Sequence, residues 1–199
     1  MTLDDPDLPM KGVLPDKEDL GDFMNLRIDH HRPELRFSFL CPDGWYRQPH
    51  PSPKADVRDD NDFLALGVFT PTKDIMPPVV FSVGVRPAPK KGTVAEWLEY
   101  QCHLQQLAVE RMKVSRFVFG TAVEAVALQG GDIPMKMRVV MFEDGGRLWV
   151  LTGMAPVKLW PDAVPVLSCM MVSFELDEPK GQTAPVVPEV PADPPAAQA

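Results

Sequence analysis

Cysteine is scarce in this chain of 199 residues: Cys41, Cys102 and Cys169 are the only three and lie far apart. That spacing excludes a disulfide framework and any Cys-x-x-Cys metal or redox motif, and packed, reduced thiols are the expectation. Basic residues are also short, with 20 Lys+Arg against 28 Asp+Glu and a net charge of −8. Phosphate contacts need a basic face, so a nucleic-acid partner is not expected. No stretch reaches the roughly 18 to 20 consecutive apolar residues of a membrane helix, so the chain is not expected to span a bilayer. The opening Met1-Thr2-Leu3-Asp4-Asp5-Pro6-Asp7 has neither a basic n-region nor an apolar h-region, which sets the expectation of a cytoplasmic protein.

The motifs of common catalytic sites are missing as well. There is no G-x-S-x-G elbow for a nucleophile and no phosphate-cradling G-x-G-x-x-G or G-x-x-x-x-G-K-[ST]; Gly130-Gly131 and Gly145-Gly146 read as turns. The four histidines, His30, His31, His50 and His103, form no HExxH or His-x-His pattern. Glu99 and His103 are four apart on one side of an expected helix, a spacing that suits a surface pair. Asp59-Asp60-Asn61-Asp62 lacks the central Gly and closing Glu of a calcium loop and reads as a solvated turn. No cofactor is expected.

Proline is abundant instead, with 23 residues. The excess negative charge is confined to the ends: residues 1–34 carry nine acids against four bases, residues 177–199 four against one, and the segment between them is balanced. This divides the chain into a flexible acidic N-terminal arm (1–34), one folded α+β domain (35–176), and a disordered Pro/Ala-rich tail (177–199). Within the arm, Phe23–Ile28 is apolar enough to be a short strand or a strap docked on the domain.

Alternation of apolar and polar residues predicts strands over Leu35–Leu40, Phe63–Phe69, Val79–Val85, Met135–Phe142 and Leu148–Thr152. Glu143-Asp144-Gly145-Gly146-Arg147 predicts a hairpin between the last two, which must then be antiparallel. Thr93-Val94-Ala95-Glu96 is a capping box that opens a helix, and the helical spacing of Val94, Trp97, Leu98, Leu104, Leu107 and Ala108 carries it toward Arg111 and Lys113. A strand is expected from Phe117 through Val126. A second helix is expected over Trp160–Met171, bent or delayed by Pro165, before a last strand Val172–Leu176.

Two groups of residues stand out as candidate partner-binding surface. Met135, Met137 and Met141 share one face of a strand with Val139, opposite Lys136 and Arg138. Buried, these flexible thioethers would fill gaps beneath the Thr93 helix; exposed, they would accept varied apolar partners. Lys136 and Arg138 look solvent-directed, which favours burial of the methionines. A thioether copper site would lack a coordinating His or Cys nearby in sequence. Trp45 and Tyr46 follow the Pro42-Asp43-Gly44 turn beside Arg47, where they can edge a binding surface or pack into the core. Trp97, Trp149 and Trp160 sit in apolar patterns and are expected in or near the core.

In order along the chain, Phe37-Ser38-Phe39-Leu40-Cys41-Pro42-Asp43-Gly44-Trp45, the helix at Thr93, the hairpin Asp144–Thr152, the Trp160 segment and Val172-Ser173-Phe174 resemble the PsbP-like family, which includes DcrB-like proteins. The resemblance spans most of residues 35–176 and implies an antiparallel β-sheet sandwiched by helices. It also implies a noncatalytic protein-binding module, an adaptor or chaperone-like partner. Some cytoplasmic bacterial relatives shield hydrophobic segments of type VI secretion effectors, although this chain differs from them in its long arm and proline-rich tail. The alternatives to an adaptor are a small-molecule hydrolase of unrecognised type and a metal-binding assembly factor.

Overall fold

A computed structural model describes residues 8–10, 22–49, 63–74 and 78–177. The C-terminal tail beyond Asp177, most of the acidic arm, His50 and the Asp59–Asp62 run lie outside the described residues.

The alternating segments form β1 (Phe23–Ile28), β2 (Phe37–Pro42), β3 (Tyr46–Arg47), β4 (Leu64–Thr70) and β5 (Val80–Pro87). After α1 (Val94–Leu104) come β6 (Ala108–Phe117), β7 (Gly120–Gln129), β8 (Met135–Asp144) and β9 (Arg147–Pro156), then α2 (Trp160–Val172) and β10 (Glu175–Leu176). The larger sheet has seven strands in the order β3-β4-β5-β9-β8-β7-β6, and the smaller has three in the order β1-β2-β10. All pairings within both sheets are antiparallel. The β8–β9 hairpin turns where Asp144-Gly145-Gly146 was expected to place it, with φ of 56° at Gly145 and 74° at Gly146, angles that glycine adopts without steric cost.

The strands of the large sheet present one face to α1 and the other to α2 and the small sheet. On the α2 face an aromatic core forms: Trp149, Phe142 and Phe174 cluster with Phe37, Phe39, Phe69 and Phe81, with ring centroids 4.9 to 6.2 Å apart. Edge-to-face and offset contacts at these distances add to the burial of the rings. Gly153 in β9 lets α2 approach closely, since a Cβ there would lie 3.1 Å from both Leu167 Cβ and Met171 Cε.

Several expectations are corrected. The first helix does not run on to Lys113. It opens at the capping box, where Thr93 Oγ1 accepts from the Glu96 N–H at 3.2 Å and Glu96 Oε2 accepts from the Thr93 N–H at 2.7 Å. It then stops at Leu104, because Gln106 turns to a φ of 55°. The Gln106 and Leu107 N–H groups fold back onto the His103 and Cys102 carbonyls, which closes the helix end, and Leu107–Lys113 runs into a strand. Phe117–Val126 is not one strand: Phe117 ends β6, Val118 and Phe119 form the turn of the β6–β7 hairpin, and the stretch from Gly120 through Val126 is the first part of β7. Helix α2 begins at Trp160 and passes through Pro165 in its second turn, where the missing N–H would have met the carbonyl of exposed Pro161. The last strand is shorter than expected, because Val172 still belongs to α2.

The folded body also reaches further back than residue 35. Phe23–Ile28, expected as a short strand or docked strap, pairs along its whole length with β2, and Arg27 pairs with Asp177 at 2.8 Å. Arg138, expected in solvent, is buried on the α2 face. Its Nη2 and Nε donate to Glu124 Oε2 at 2.7 and 3.1 Å, and its Nη1 donates to Ser168 Oγ of α2 at 2.7 Å. Arg138 is 2% exposed and Glu124 0%. A desolvated guanidinium needs a paired carboxylate, and the β7–β8 pairing supplies one that neither segment's pattern reveals.

Candidate functional site

Helix α1 is only eleven residues long and packs over β6, β7 and β8. A sheet of seven strands is wider than one such helix covers, so the same face of β9 and β5 continues past the helix edge. Between that edge and the sheet lies an open cleft of about 460 Å³. Its floor is Met137, Val139 and Met141 of β8, Val150, Thr152 and Met154 of β9, and Ser82 and Arg86 of β5. One wall is the underside of α1, with Trp97, Leu98, Gln101, Cys102 and Gln105, continued by Leu107. The far rim is Phe63, whose ring lies directly on Gly84: a Cβ there would fall 2.1 Å from Phe63 Cζ. Glycine in a strand interior is the feature that admits such an overlying ring.

The polar groups of the cleft are mostly neutral amides and hydroxyls: Gln101, Gln105 and Gln129 together with Ser82 and Thr152. The Arg86 guanidinium stacks over the Trp97 ring at 4.3 Å, and burial draws its pKa below the ordinary arginine value. Burial, and then the nearby Glu99 carboxylate, push the Cys102 thiol up, so it stays protonated at neutral pH. An apolar lining with convergent neutral polar groups is the chemistry of a site that holds an uncharged, largely apolar occupant.

Of the candidate residues, Met137 and Met141 are buried beneath α1 and contribute to the cleft floor, while Met135 sits half-buried at the start of the same strand. Trp45 and Tyr46 are elsewhere. Trp45 packs against the aromatic core, and Tyr46, in edge strand β3, is exposed beneath Lys73, whose ammonium lies 4.7 Å from the ring centre. The two groups therefore do not form one surface. Trp149 is fully buried, Trp160 packs against the aromatic core, and Trp97 forms a cleft wall.

The remaining titratable candidates do not converge. His30 and His31 lie against each other, with ring centroids 4.2 Å apart, and His103 is exposed near the end of α1. Cys41, Cys102 and Cys169 are free and buried at separate places, and burial raises the Cys41 thiol to about 11. Among the described residues no three of His, Cys, Asp and Glu are grouped to hold a metal ion. No described helix is long and apolar enough to cross a membrane. The residues that reading the sequence missed are Phe63, Arg86, Trp97, Leu107 and Met154. Gly84 in an otherwise apolar strand was the available signal, because it marks a close approach by a ring, here that of Phe63 at the entry to the neighbouring strand β4.

No family model matches the sequence, and no curated protein matches it. Solved structures do. The chain is similar to cyanobacterial PsbP (CyanoP) from Synechocystis sp. PCC 6803, with a TM-score of 0.55 at 14% identity over 77% of this chain and 92% of that one. It is also similar to LpqN, involved in cell envelope biogenesis of Mycobacterium tuberculosis, with a TM-score of 0.51 at 12% identity over 82% and 98% of the two chains. The chain thus has the PsbP-like α+β fold that the order of its sequence pieces implied.

Proposed function

We propose that this chain of PsbP-like fold is a noncatalytic binding module that holds an apolar segment of a partner polypeptide in the cleft between α1 and the large sheet. The cleft itself carries the reading. Its methionine floor is adaptable and polarizable, so it accommodates side chains of differing shape without a fixed complementary surface. The glutamine, serine and threonine groups at its margins supply donors and acceptors for backbone amides that an extended or helical segment brings with it. Its volume lies within the range that takes a few large side chains. The module acts as an adaptor or chaperone-like partner. In its finer form, which rests on the family resemblance, the segment belongs to a type VI secretion effector and the encounter is cytoplasmic.

Filling the cleft separates binding from stability. Thr152→Phe adds volume at a half-buried position of the β9 floor, on the open side of the cleft, so the melting temperature should change little. Fluorescence anisotropy with labelled Leu/Met/Phe-rich 15-residue peptides and charged controls is the assay. Saturable binding of the apolar peptides that weakens by about tenfold or more in Thr152→Phe supports the reading. Absence of apolar-peptide binding, or equal binding by the filled variant, overturns it.

A further inference from the structure

On the opposite face of the sheet a short piece of the N-terminal arm is seated over the buried ion pair. The Met10 N–H donates to Glu124 Oε1 at 2.6 Å, and Met10 is 5% exposed. Two residues earlier, the Leu8 carbonyl accepts from Lys113 Nζ. The Ser115 hydroxyl donates to the same Glu124 oxygen that receives the Met10 N–H. We propose that β6 and β7 carry a peptide-binding site on this face, that its ligand class is a short extended peptide with a Pro-Met core, and that the chain's own Leu8-Pro9-Met10 occupies it in cis.

The recognition follows from the groups present. Lys113 and Glu124 are a donor and an acceptor placed for the carbonyl and the N–H of one extended segment. Proline between them brings no N–H that would need a partner, and it biases the preceding residue toward extended backbone, so little conformational freedom is lost on docking. The side chain of Met10 is enclosed, whereas Leu8 is 74% exposed and contributes through its backbone. Glu124 Oε2 is occupied by Arg138, which leaves Oε1 facing the segment. The Met10 N–H therefore adds a second donor to an oxygen that the Ser115 hydroxyl of β6 also reaches, and both carboxylate oxygens are satisfied. This site is on the other face from the cleft and stands independently of its function.

Two measurements on the full-length chain test the proposal. In the wild-type protein, the Met10 amide should exchange with solvent at least about tenfold more slowly than in the free peptide of residues 4–14. Exchange at the free-peptide rate overturns the site. In the full-length Met10→Asp variant the in-cis ligand is removed. Labelled wild-type peptide 4–14 should then bind in trans about tenfold or more tightly than it binds the wild-type chain, whose site is filled. A Leu8→Ala peptide should bind within about twofold of the wild-type peptide and a Met10→Asp peptide should not bind. Equal binding by both chains, failure of the wild-type peptide to bind Met10→Asp, or dependence on Leu8 rather than Met10 overturns it. The exchange measurement needs no variant and decides the question even where Met10→Asp perturbs the fold.

Discussion

The two faces of the large sheet are made by the same strands, yet they are finished differently. The α2 face is closed by a helix, a second sheet and the Leu8–Met10 segment, and it holds a cluster of aromatic rings and one buried ion pair. The α1 face is covered by one short helix over aliphatic and methionine side chains, and it stays open along β5 and β9. Rigid rings and a satisfied charge pair fix one arrangement, while thioethers beside open space permit several. Stability is thus concentrated on one side of the sheet and adaptability on the other.

The largest expected effect is on the α2 face. Arg138→Met strands Glu124 as a buried, unpaired carboxylate and should cost about 3–5 kcal/mol in denaturant unfolding. Adding Glu124→Gln removes the stranded charge, so the double variant should be more stable than Arg138→Met alone. A single variant that unfolds like wild type would remove the contrast between the faces.

Glycine substitutions sharpen the comparison. Gly153→Ala presses a methyl against the backbone-proximal Cβ of Leu167, which cannot swing away, and should cost about 1–3 kcal/mol. Gly84→Ala on the α1 face meets only the ring of half-exposed Phe63, which can rotate off the sheet, so the loss should be under about 1 kcal/mol. Thermal melts of the pair should rank them in that order; the reverse ranking would place the tighter packing under α1.

The smallest effect is a pH dependence at the junction of β1 and β2. Burial first, and then the neighbouring His31, lower the His30 pKa from 6.5, and its Nδ1 accepts the Arg32 N–H at 3.1 Å. The unfolded chain therefore binds a proton more readily than the folded one. This contribution is constant above about pH 6.5 and destabilises progressively as the pH falls below that value toward the folded pKa. His30→Gln should flatten the stability difference between pH 7.5 and pH 5 relative to wild type. An unchanged slope would dissociate His30 from it.

Local signals in the sequence carried much of the fold. The Asp144-Gly145-Gly146 turn and the strands beside it, the Thr93–Glu96 capping box and the second helix each depend on residues adjacent in the chain. The end of α1 was hidden because its closing motif places Gln106, where a glycine would have announced the stop, in the left-handed conformation. Arg138 looked exposed because its partner lies on a different strand, and a charge's burial depends on what pairs with it across a sheet. The methionine stripe was legible as a face of β8. That the face continues into a cleft was not, since this depends on how far an eleven-residue helix reaches across seven strands.

The methionine methyl groups report on both faces at once. With methyl-labelled methionine and a saturating Leu/Met/Phe-rich peptide, the resonances of Met137, Met141 and Met154 on the α1 face should shift, while those of Met170 and Met171 in α2 stay in place. Shifts at Met170 and Met171 with none at the other three would contradict the assignment of binding to the α1 face.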